Sequence, residues 1–114
     1  MNYQGMILRL AQTAHRNDLS AQMPNFMNDA TERINRRLTL ALTLDTTQPD
    51  STNSVLTDQP MLYYYAGLQS LYEFVNEGDN AMTANERYED EISRYNVTST
   101  AIHTPIIMGI PYGT

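Results

Sequence analysis

Cysteine, tryptophan and lysine are all missing from these 114 residues. Without cysteine there is no disulfide, no thiolate metal site and no thiol nucleophile, and the redox compartment is left unread. Without lysine every side-chain cation at neutral pH is an arginine. There are 7 of them against 13 acids, a net charge of −6. Tight binding to a phosphate backbone needs clustered cations, so this balance argues against a DNA-gripping protein. No run approaches the roughly 18 apolar residues of a membrane span. The opening "MNYQGMILRLAQTAHRND" has no basic stretch ahead of an apolar one, so no secretion signal is read there.

What is present is tyrosine, eight of them, in a chain that is 41% apolar. Tyrosine couples an apolar body to a polar tip, which suits half-buried positions and interfaces. The length allows one small domain burying roughly 65% of its unfolded surface.

Helical periods run through most of it. Met6, Ile7, Leu10, Ala11 and Ala14 recur at spacings of three and four and predict a helix over residues 3–16. Phe26 or Met27, Ala30, Ile34, Leu38 and Ala41 or Leu42 predict a second, opened by Pro24. Asp29 with Arg33 and Glu32 with Arg36 are acid-before-base pairs at i,i+4. Residues 43–59 read as a long loop, with room for a short extended segment or a partner's contact. Thr57 or Asp58 then caps a third helix carrying Met61, Tyr65, Leu68, Tyr72 and Val75, widened by Tyr64 and Leu71. Tyr63 or Tyr64 is left off its stripe, because consecutive residues fan about 100° apart. Gly78 is the expected left-handed stop. Thr83 and Glu86 have capping-box spacing and open a fourth helix with Tyr88, Ile92 and Tyr95 on its seam. After Asn96 the period is lost, and β-branched residues suggest extended chain. The expected fold is all-α: a small bundle of about four helices over residues 1–96, with a long loop and an extended C-terminal arm over 97–114.

Nothing in this pattern resembles a catalytic site. His103 has no metal-ligand type at i±3 or i±4 and His15 has only Asp18, too few ligands for a site, so no metal is expected. No nucleophile elbow or phosphate loop occurs. The acids Glu86, Glu89, Asp90 and Glu91 read as a solvated helix face, and no enzyme activity or cofactor is expected. Arg33, Arg36 and Arg37 form a basic patch. They pair along their own helix or meet an acidic face of a neighbouring subunit, with Glu89 and Asp90 on the fourth helix as candidates.

The segments "HRNDL" and "ERINRRL" then carry a resemblance. His15, Arg16, Asp18 and Leu19, followed by Pro24, Phe26, Ala30, Glu32, Arg33, Ile34, Asn35, Arg36 and Leu38, resemble the opening of head-to-tail adaptor proteins of tailed bacteriophages, also called connector or head-completion proteins. The tyrosine-rich third helix and the "RYE" helix after it look like that family's later pair. The match covers roughly residues 3–96. It departs in the middle, where many relatives carry a longer, strand-rich insertion. The resemblance implies a structural virion protein at the head-tail junction, assembled in the host cytoplasm. It implies a homo-oligomeric ring, usually of twelve copies, between the portal protein and a tail or nozzle protein. Double-stranded DNA would pass through without specific binding, and an acidic bore would repel its phosphates. No membrane contact is implied.

The end of the chain, "TAIHTPIIMGIPYGT", fits this picture as an assembly arm. Ile106, Ile107, Met108, Ile110 and Tyr112 could gain roughly 1.5–3 kcal/mol each on burial. Ordering the backbone costs about 1–2 kcal/mol per residue, so side-chain burial alone does not hold the arm. Backbone pairing with a partner and the many arms of a ring would add to it. The portal is the expected receptor, and a fold-back over the arm's own bundle is the simpler alternative. The competing functional class is a small acidic helical interaction or regulatory module that binds one partner through this tail.

Overall fold

A computed structural model describes the backbone of residues 1–107 and the side chains of residues 1–95. Its elements are α1 (Tyr3–Ala14), α2 (Met23–Leu38), α3 (Ser54–Asp58), α4 (Pro60–Phe74) and α5 (Gly78–Ile107). The fold is an all-α bundle, with no strand among the described residues.

Local chemistry sets the helix ends. Asn2 caps α1, its Oδ1 accepting from the Gly5 amide at 2.9 Å. Pro24 sits in the first turn of α2, where its missing N–H costs nothing. The left-handed stops fall on His15, Thr39 and Asn76, at φ of 55°, 55° and 61°. After each, the next amide reaches back five residues: Arg16 to Ala11, Leu40 to Asn35 and Glu77 to Tyr72. This closure satisfies carbonyls that a helix end otherwise leaves bare. Gly78 is not the stop the sequence suggested. Asn76 takes the left-handed position, as short polar side chains can, and Gly78 begins α5.

Helix α4 is the axis. It packs against α5, α2, α1 and α3. Leu62, Tyr63, Ala66, Gly67, Leu68, Ser70 and Leu71 are all buried on it. Around them lie Met6 and Leu10 of α1, Phe26, Met27, Ala30 and Ile34 of α2, and Ala84, Tyr88 and Ile92 of α5. The stripes expected on α1 and α2 face this core. The α4 stripe is turned: Tyr63 is fully buried, while Met61, Tyr64, Tyr65 and Tyr72 are half-buried. A helix with neighbours on several sides has no single apolar face to read.

Other boundaries also moved. α2 stops at Leu38 rather than Leu42. Thr57 and Asp58 belong to the short α3 inside the expected loop and cap nothing, so α4 begins after Gln59 without a side-chain cap. Thr83 is inside α5 rather than at its start, its hydroxyl donating to the Asp79 carbonyl at 3.1 Å. α5 continues past Asn96 to Ile107. The extended chain expected over residues 97–107 is therefore helix, because β-branched residues weaken a helix only slightly and propagation from a formed helix is easy. Residues 108–114 of the expected arm lie outside the described residues.

The connection from Thr39 to Asn53 is tied at both ends. Asn35 pairs with Leu42 through both side-chain atoms, Nδ2 to the carbonyl at 3.0 Å and Oδ1 from the amide at 2.8 Å. The Tyr3 and Gln4 amides, two of the orphan donors of α1, are satisfied by the carbonyls of Ser51 at 2.8 Å and Pro49 at 3.0 Å.

Candidate interaction surface

The basic patch of α2 lies beside α5, and the two helices share a groove. Arg33, Arg36, Arg37, Asn85, Tyr88 and Glu89 line it, around ≈ 260 Å³ of space. Tyr88 is on the core side of α5 and only 2% exposed. Glu89, the next residue, turns about 100° toward α2. There Arg37 reaches it, Nη2 to Oε1 at 2.9 Å. Arg37 and Glu89, both candidates for contact between subunits, are thus joined within one chain.

The other arginines differ. Arg36 meets Glu32 at 3.5 Å, one of the two i,i+4 pairs expected from the sequence, and remains largely exposed. The other expected pair, Asp29 with Arg33, is not formed. Arg33 is half-buried, and its buried Nε has no hydrogen-bond partner among the described residues. The Tyr88 hydroxyl is buried and unpartnered as well. Burial pushes its pKa up from 10.0 to about 12, against the pull of the Arg33 guanidinium and with a smaller upward push from Glu89. Asp90 is exposed, on the side of α5 away from the core.

The sign of this shift makes a prediction. A phenol whose folded pKa lies above its unfolded value contributes stability that is complete below pH 10 and is lost as pH rises toward 12. Tyr63, Tyr3 and Tyr72 are also raised, each first by burial. Thermal stability should therefore fall steeply above pH 10, with phenolate absorbance appearing together with unfolding. Tyr88→Phe should flatten that fall.

A second polar feature escaped the sequence reading. Thr31 donates its hydroxyl to the Met27 carbonyl at 2.9 Å and lies 2.8 Å from the Tyr63 hydroxyl. Thr31 has one proton, already given, so Tyr63 donates to it. Tyr63 in turn accepts from Asn53 Nδ2 at 2.8 Å. The same amide reaches the Thr43 carbonyl at 3.1 Å, and Asn53 Oδ1 caps α3 by accepting from the Leu56 amide at 2.9 Å. One asparagine thus joins the loop, α3, α4 and α2. The signal for it was the Asn-Ser start of α3, hidden in a stretch of similar polar residues.

The corner between α1 and α2 is built from the "HRNDL" residues. His15 makes the left-handed turn. Arg16 grips Asp18 through two bonds of 2.8 Å each and holds its carboxyl down to about 2. Leu19 is 5% exposed and packs into the core. His15 itself is exposed, as expected of a helix end.

The expected partner-binding residues divide by position. Ile106 and Ile107 close α5 as backbone, and Met108, Ile110 and Tyr112 are outside the described residues. Among the described residues no group of His, Cys, Asp or Glu is placed to hold a metal. No helix among them is long and apolar enough to cross a membrane. Comparison with family models, with curated proteins and with solved structures found no match to this chain.

Proposed function

We propose that this chain is a structural subunit of the head-to-tail connector of a tailed bacteriophage, one of a ring of copies that joins the portal to the tail and continues the DNA channel. The observation that carries the reading is the sequence resemblance in "HRNDL" and "ERINRRL", and these residues have structural work to do. His15, Arg16, Asp18 and Leu19 form the α1–α2 corner, and Asn35 clamps the loop that follows α2. Ile34, from the same segment, is fully buried. A scaffold subunit needs such fixed corners, because a ring closes only if each copy presents its faces at a constant angle. An acidic chain of net charge −6 also suits a channel that DNA must pass without sticking.

In this reading the apolar residues at 106–108, 110 and 112 dock on the portal. The test is the solution mass of the purified chain, alone and with the portal protein encoded in the same genome. The expected outcome is a portal-bound ring. A chain lacking residues 100–114 should keep its bundle, seen as cooperative loss of helical circular dichroism on heating, and fail to stay on the portal. A full chain that ignores the portal refutes the connector reading.

A further inference from the structure

The groove between α2 and α5 holds two buried polar groups with nothing to bond. Arg33 Nε is always a donor, and the neutral Tyr88 hydroxyl has a proton to give. Leaving such groups unsatisfied is costly, and native structures rarely do so without a reason. Arg36 stands at the edge of the same groove, largely exposed. Two donors beside a second guanidinium call for an acceptor that carries negative charge. The carboxylate that lines the groove, Glu89, is already held by Arg37.

The same molecule displays that kind of acceptor elsewhere. Asp79, Glu86 and Asp90 are exposed on α5. At about 100° per residue, their spacings of seven and four place them within roughly 40° of one another. They lie opposite Ala84, Tyr88 and Ile92, which face the core. None of the three forms an ion pair among the described residues, whose pairs join Arg16–Asp18, Glu32–Arg36, Arg37–Glu89 and Glu91–Arg94.

We propose that the α2–α5 groove, once side chains shift to uncover its two donors, receives a carboxylate from the Asp79, Glu86 and Asp90 stripe of a second copy of this chain. The inference rests on the assembly reading above and names its contact. Groove and stripe are different faces of one molecule. The contact is therefore head-to-tail, and every assembly short of a closed ring has a free groove at one end and a free stripe at the other.

Sedimentation at low ionic strength tests it, through one groove variant, Arg36→Glu, and one stripe variant, Glu86→Gln with Asp90→Asn. Wild-type mass should rise with concentration and fall with added salt. Each variant alone should remain monomeric, since it has lost one of the two faces. An equimolar mixture should form dimers and stop there, because only one productive contact is left between the two. Tyr88→Phe separates a packing role from a bonding one. It should melt at or above the wild-type temperature and associate at least about fivefold more weakly. The contact is overturned by a wild type that stays monomeric up to on the order of 1 mM. It is equally overturned by a mixture that stays monomeric or grows beyond dimers, or by a Tyr88→Phe chain that associates like the wild type. If the variants still assemble on the portal, this contact is wrong and the connector reading stands. If they behave as expected while the portal is ignored, the contact stands and the connector reading falls.

Discussion

Leu10→Ala should cost the fold about 2–5 kcal/mol, the range for emptying a fully buried leucine site. That is a large share of the roughly 5–15 kcal/mol that holds a domain of this kind together. Its melting temperature should drop by roughly 10 °C or more. Leu10 is 0% exposed and lies where α1 meets α4. The helices come close there because α4 has Gly67 at the contact: a Cβ built on it would stand 3.0 Å from Leu10 Cδ1. Alanine is a better helix former than glycine by about 1 kcal/mol. In the wild type Gly67→Ala should still not stabilise, since Leu10 is enclosed and has little room to yield. In the Leu10→Ala background the obstruction is gone and the helix preference is felt. The effect of Gly67→Ala should then be more favourable by at least about 1 kcal/mol than in the wild type. Denaturant unfolding of the four chains measures this coupling. Additive effects would show that Gly67 is not there to admit Leu10.

Asn53→Ala should cost about 2–4 kcal/mol, unusual for a polar residue outside the deep core. The loss has separable parts. The cap of α3 is worth about 1 kcal/mol, and the bonds to Tyr63 and to the Thr43 carbonyl are worth about 0.5–1.5 kcal/mol each. Asn53→Asp keeps the oxygen that caps the Leu56 amide but has no donor for Tyr63 or Thr43. It should therefore recover the cap alone, and thermal unfolding of the two variants would divide the total. An alanine variant as stable as the wild type would mean that water replaces Asn53 at no cost.

These two sites mark the limits of what could be read in advance. Leu10 was legible because α1 is amphipathic: one neighbour, one face, and a period of three and four. α2 was legible for the same reason as far as Leu38. On α4 the apolar residues continue all round, so the sequence suggested a face of Met61, Tyr65, Leu68, Tyr72 and Val75, and the structure buries Leu68 of these together with Tyr63. Asn53 was not legible at all, because a stretch rich in Thr, Asp, Ser and Asn offers many possible caps and only the fold selects one. Of the interaction surface, the charges were visible and their pairing was not. Arg36 with Glu32 is a local spacing, whereas Arg37 with Glu89 joins residues 52 apart in sequence. Tyr88 read as an ordinary seam residue, and only its surroundings show that its hydroxyl lacks a partner.

The attachment of α1 bears on the order of folding. Although α2 follows it directly, α1 rests chiefly on α4, and its first amides close on carbonyls of the loop before α3. A helix of 12 residues is marginal alone in water. During synthesis α1 therefore emerges with its apolar side uncovered, and it waits until α4 has left the ribosome. Through that interval Met6 and Leu10 are available to any other apolar surface, including the nascent α1 of a neighbouring chain on the same message.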